Sequence, residues 1–75
     1  MRRIAIIDLG TNTFNLLIVD EVKEGFKAIF TTKVGVGLGL GGINDNKLAD
    51  DAMDRALHTL SSFVDYCTDH QVEKI

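Results

Sequence analysis

Seventy-five residues, with eight basic and eleven acidic side chains, a net charge of −3 and 45% hydrophobic content, describe one small folded unit at most. Arg2 and Arg3 are the only adjacent cations and no basic stripe exists, so nucleic-acid binding by phosphate neutralisation is not expected. Asp8 interrupts the apolar start too early for a secretory signal, no run reaches membrane-spanning length, and the single Cys67 can form neither an internal disulfide nor a metal site alone; the chain reads as soluble and cytoplasmic.

Residues 3 to 8 form a nearly continuous apolar run, the mark of a strand buried on both faces. A polar knot follows, Asp8-Leu9-Gly10-Thr11-Asn12-Thr13, and then a second strand-like run from Phe14 to Asp20. Glu21 to Gly25 reads as a turn. Phe26, Ala28 and Phe30 then alternate with Lys27, Ile29 and Thr31, which predicts a third strand with one wetter face. Short links between the three strands predict an antiparallel meander. The glycine-rich stretch KVGVGLGLGGINDN, residues 33–46, reads as a loop leading to a helical pattern from Asp50 to His70. Met53, Ala56, Leu57, Leu60, Phe63, Val64 and Cys67 recur there at spacings of three and four and predict the buried stripe. The opposite face carries Arg55, His58, Thr59, Ser62 and Asp65. Val72-Glu73-Lys74-Ile75 then begins what reads as a further strand, parallel to its neighbour if the helix makes a right-handed crossover. A β-β-β-α-β order of this kind is an incomplete α/β layer, expected to open a larger protein.

Gly37, Gly39 and Gly42 satisfy the spacing G-x-G-x-x-G. A dinucleotide fingerprint needs the last glycine in the first turn of a helix, and Ile43-Asn44-Asp45-Asn46 is turn chemistry instead, so a loop is the better reading. His58 and His70 lack partners at metal-binding spacing and read as solvated; Cys67 lies on the apolar stripe and reads as core. Asp50, Asp51 and Asp54 sit where the helix dipole favours anions, a simpler role than a metal cluster. The knot is richer in hydroxyls than a plain hairpin link requires. Gly10 allows close backbone approach, successive N–H groups in a tight turn can converge on an anion, and Thr11, Asn12 and Thr13 add polar side chains. Asp8 would repel phosphate unless a cation lay between, and carboxylate with phosphate oxygens is the usual Mg²⁺ environment. Residue chemistry alone leaves a phosphate loop and a structural turn both open.

Asp8-x-Gly10-Thr11-Asn12-Thr13 between two apolar strands resembles the first phosphate loop of the actin-like ATPase superfamily, whose lobes have a ribonuclease H-like fold. The longer AIIDLGTNTFNLLIVD, residues 5–20, resembles the opening of the exopolyphosphatase/guanosine pentaphosphate phosphohydrolase (Ppx/GppA) family. KVGVGLGLGG and LADDAMDRALHTL are similar, in the same order, to that family's next two segments. Gly37 stands where the family usually has arginine, Leu40 where it often has glutamate, and Ala49 where a capping serine is usual, with Asp50 next in line to cap.

The resemblance implies that residues 1–75 are the N-terminal part of the first of two lobes. It implies a hydrolase that cleaves terminal phosphoanhydrides of inorganic polyphosphate or guanosine pentaphosphate with Mg²⁺. Gly10, Thr11, Asn12 and Thr13 would contact phosphate, Asn15 less directly, and Asp8 would lie at the metal. The water-activating glutamate is expected beyond residue 75, so the fragment alone should not turn over; the complete protein is compatible with a homodimer. Two alternatives are an ATP-using, kinase-like member of the superfamily and a non-catalytic interaction fragment.

Overall fold

β1 (Arg3–Leu9), β2 (Thr13–Val22) and β3 (Gly25–Gly35) form a three-stranded antiparallel sheet in the order β1-β2-β3. The computed structural model describes residues 2–38, 43–44, 47–48 and 50–75. β1 and β2 pair without slippage from Arg3↔Asp20 to Leu9↔Phe14, which brings the polar knot to one end of the sheet as a three-residue link. β2 and β3 pair from Thr13↔Gly35 to Val22↔Gly25, with one register shift beside Ile18 and Val19. Such a bulge strengthens the local twist of a strand pair. β3 runs on to Gly35, several residues further than alternation after Phe26 predicts, and takes in the start of the glycine-rich stretch. At the end of that stretch and just after it, β4 (Ile43–Asn44) and β5 (Lys47–Leu48) pair antiparallel where a loop was expected. Gly39, Leu40, Gly42 and Ala49 lie outside the described residues.

α1 (Asp50–Asp69) covers one face of the sheet. Alternation along β2 turns Phe14, Leu16 and Ile18 toward it, and these meet Ala56, Phe63 and Cys67 in a cluster completed by Ala5 and Val36. Phe63, Leu16 and Ile18 are fully buried. The buried stripe of the helix is Ala52, Ala56, Thr59, Phe63 and Cys67, rotated from the predicted one. Met53, Leu57 and Val64 stay 43–58% exposed, and Thr59, assigned from the sequence to the polar face, is buried. The apolar arc of α1 is wider than a three-stranded sheet can cover, so one edge of it faces outward.

The helix ends in a Schellman arrangement: the Gln71 N–H donates to the Thr68 carbonyl at 3.1 Å and the Val72 N–H to Cys67 at 2.9 Å. Gln71 takes the left-handed conformation this needs, at φ 57°. No basic residue occupies the last turn of α1, but Arg3 reaches across to donate from Nη1 to the His70 carbonyl at 2.8 Å. The same guanidinium grips Asp20 through two bonds of 2.7 and 3.1 Å, tying β1, β2 and the positive charge a helix C-terminus favours into one contact. The chain then returns beside β1: the Glu73 N–H donates to the Arg3 carbonyl and the Ala5 N–H to the Lys74 carbonyl, a parallel bridge at Ile4↔Lys74. The predicted parallel strand thus begins where the sequence places it.

Only one face of β1 is covered, against the expectation of burial on both. Ile4, Ile6, Leu17, Val19 and Phe26 line an apolar groove on the face away from α1, where Ile6 is 52% and Phe26 65% exposed. No helix among the described residues is long and apolar enough to cross a membrane.

Candidate functional site

The link between β1 and β2 is closed by one backbone bond, the Gly10 N–H donating to the Thr13 carbonyl at 3.0 Å. Gly10 suits this closeness: a Cβ there would lie 3.0 Å from the same carbonyl oxygen, which would have to give way. The Asn12 carbonyl is turned away from the tip and accepts two bonds, from the Val36 N–H at 2.8 Å and the Gly37 N–H at 3.1 Å. That leaves the tip donor-rich. Among the described residues, no hydrogen bond engages the Thr11 and Asn12 N–H groups, or the side chains of Thr11, Asn12, Thr13 and Asn15. Thr11 and Asn12 are exposed and Thr13 and Asn15 half-buried, so these donors face solvent or a ligand. Neighbouring unpaired N–H groups at a tight turn are the elements of an anion nest.

Asp8 pairs directly with Asn15 across β1 and β2. Directly opposed residues share a face, and alternation from the buried Phe14 and Leu16 puts Asp8, Thr13 and Asn15 on the face away from α1. The structure thus brings Asp8, Thr13 and Asn15 together on one side of the turn, with Gly10 to Asn12 at its tip. Asp8 is exposed, and no group of three or more His, Cys, Asp or Glu side chains suited to a metal exists among the described residues. A Mg²⁺ ion held by one carboxylate together with waters and substrate phosphates needs no such group. Asp8 fits that sparse role and no fuller one.

On the helix side the knot is backed by an element that sequence reasoning missed. Asn12, Gly35, Val36, Gly37, Asp51 and Arg55 border an open cleft of about 710 Å³. Arg55 projects from α1 and donates from Nε to the Val36 carbonyl at 2.7 Å and from Nη2 to the Gly37 carbonyl at 3.2 Å. Its Nη1 meets Asp51 Oδ2 at 3.2 Å, one helical turn back. The sequence assigns Arg55 to a solvated helix face; only its spacing of four from Asp51 hinted at a partner. Gly37, the position at which the resembling family usually has arginine, adopts φ 59°. A residue with a Cβ is penalised by roughly 1–2 kcal/mol in that conformation, so the glycine answers to the turn it makes.

No protein-family model matches the chain. It is similar, at 45% identity and a TM-score of 0.89, to a solved exopolyphosphatase from Cytophaga hutchinsonii, over 97% of its own length and 23% of that chain. It is 35% identical over 71 residues to a guanosine-5'-triphosphate,3'-diphosphate pyrophosphatase of Photobacterium profundum, covering 95% of itself and 14% of that relative. The chain belongs to the Ppx/GppA phosphatase family. The Ppx/GppA phosphatase of Aquifex aeolicus in its type II variant shares the fold, with a TM-score of 0.89 at 20% identity, over 99% of this chain and 25% of that one. Family membership and topology agree: a three-stranded antiparallel sheet followed by one long helix, with a parallel bridge back to β1 at Ile4↔Lys74, is the start of an actin-like α/β lobe. The chain spans about a seventh of the curated relative and about a quarter of each solved relative.

Proposed function

We propose that these residues are the first part of the N-terminal lobe of a two-lobed, cytoplasmic phosphohydrolase. In this reading the β1–β2 link is its first phosphate loop, and the substrates are terminal phosphoanhydrides of inorganic polyphosphate or guanosine pentaphosphate. The observation that carries the reading is the tip of the link: N–H groups of Thr11 and Asn12 without protein acceptors among the described residues, in a chain of Ppx/GppA membership. Phosphoryl transfer asks a protein chiefly for positioning and charge neutralisation. The Thr11 and Asn12 N–H groups and the Thr11 and Thr13 hydroxyls donate to phosphate oxygens, and Asn15 orients the near side. Asp8 would hold Mg²⁺ through its carboxylate. That ion, when bound, supplies neutralisation of phosphate charge. Gly10 keeps the link tight enough for its N–H groups to converge. The group that activates water lies outside residues 1–75.

The test is phosphate release by the complete protein from polyphosphate and from guanosine pentaphosphate, with Mg²⁺ and with EDTA. Release that falls at least tenfold in Asp8→Asn and in Thr11→Ala is expected. Release unaffected by both changes removes the loop from the reaction, and ATP-dependent transfer to a sugar or acetate without phosphate release overturns the hydrolase reading.

A further inference from the structure

We propose that Arg55 is a positioning residue for the phosphate loop, acting through the Val36–Gly37 strap; the inference rests on the function proposed above. The backbone of two consecutive residues, Val36 and Gly37, is held from both sides. Their N–H groups donate to one atom of the loop, the Asn12 carbonyl oxygen, at 2.8 and 3.1 Å. Their carbonyls accept from two nitrogens of one guanidinium, Arg55 Nε and Nη2, at 2.7 and 3.2 Å. Helix α1, the end of β3 and the loop tip are thereby joined in a single chain of hydrogen bonds. Only a planar fork with donors fixed in direction meets two adjacent carbonyls in this way.

The consequence for the loop is directional. With its carbonyl drawn toward the strap, the peptide unit after Asn12 keeps one orientation, and the tip presents donors outward. Releasing the strap frees that carbonyl to turn toward the anion site, where it would repel phosphate. Direct contact between Arg55 and substrate is the competing role, and Asp51 argues against it. Its carboxylate sits 3.2 Å from Nη1, offsets the arginine charge and brings a negative group to the mouth of the cleft. The left-handed Gly37 belongs to the same device, because the strap bends there to offer both carbonyls to one side chain.

The test uses the complete protein with Arg55→Lys and Arg55→Gln, and Arg3→Gln as a destabilised control. Arg3 lies at the opposite end of β1, roughly 20 Å from the turn at 3.3 Å per residue. Each variant is assayed on polyphosphate well below its melting temperature, and amide exchange is followed by mass spectrometry in peptides covering residues 8–16 and 32–40. Both Arg55 variants are expected to raise KM about tenfold with kcat little changed, and to raise exchange in both peptides, while Arg3→Gln does neither. Full rescue by lysine would show that charge alone matters, and Asp51→Asn lowering KM would show direct substrate contact; either result overturns the proposal. So does unchanged exchange with unchanged KM. Should the wild-type protein release no phosphate, the proposed function fails by itself, and exchange at the loop still decides the strap.

Discussion

Gly10→Ala separates the loop's stability from its use. The added Cβ would stand 3.0 Å from the Thr13 carbonyl oxygen, whereas ordinary contact begins at 3.4 Å, so the oxygen must withdraw by about 0.4 Å. That oxygen is the acceptor for the Gly10 N–H at 3.0 Å, and the withdrawal carries the bond to the edge of useful geometry. Losing such a bond costs about 0.5–1.5 kcal/mol. The backbone angle adds nothing, since Gly10 is not among the positive-φ glycines. Alanine also restricts the unfolded chain, which returns about 0.4–1 kcal/mol. The two effects nearly cancel, and the urea midpoint of the complete protein should shift by less than about 1 kcal/mol in equivalent stability. Activity has no such compensation. A misplacement of 1 Å can cost a hundredfold, so about 0.4 Å in the loop should lower kcat/KM on polyphosphate about five- to tenfold. Gly35→Ala, where the new Cβ meets nothing within 4 Å, serves as the reference for stability. Unchanged kcat/KM in Gly10→Ala, with the variant folded, would refute the idea that loop geometry is set by this close contact.

Two further outcomes follow from the same contacts. Gly37→Arg, which installs the residue usual in the family, should destabilise the protein by roughly 1–2 kcal/mol because of the left-handed backbone at φ 59°, as read from denaturant midpoints; a gain in stability would refute the reasoning. The Arg3 guanidinium, hydrogen-bonded to Asp20, holds that carboxyl below the usual aspartate range. A depressed folded-state pKa contributes stability that is complete above the ordinary value of about 3.9 and is lost as pH falls further. The stability gap between wild type and Asp20→Asn should therefore be flat above about pH 5 and close below about pH 4. A gap that stays constant to low pH would remove the ion pair from the account.

Local pattern made most of the fold legible. Period-two and continuous apolar runs gave the strands, and spacing of three and four gave α1 to within a residue of its observed end at Asp69. The stripe was displaced because periodicity reports the width of an apolar arc, not which part of it a neighbour covers. Ala52 is buried and Leu57 is 58% exposed, although leucine is the larger apolar residue. At the site, the knot announced itself by excess Gly, Thr and Asn, which is composition and therefore visible. Arg55 did not, because its partners are backbone carbonyls at Val36 and Gly37, 19 and 18 positions away in sequence. A side chain that holds backbone leaves no complementary residue type to find.

The two faces of the sheet show why the reading of β1 as buried on both sides erred in this chain yet was sound as physics. On one face Ala5 joins the core beneath α1; on the other Ile4 and Ile6 continue the apolar pattern into a groove with Leu17, Val19 and Phe26. Covering a large apolar side chain is worth about 1.5–3 kcal/mol, and a surface strand has no need of such residues at alternate positions. The groove ends where the same face turns polar, at Asp8 and Asn15, two residues further along each strand from Ile6 and Leu17. A layer packed on Ile6 and Phe26 would therefore stop beside the β1–β2 link. The apolar run before the knot and the knot itself thus share one face of β1, along which Ile4 and Ile6 lead to Asp8 at the rim.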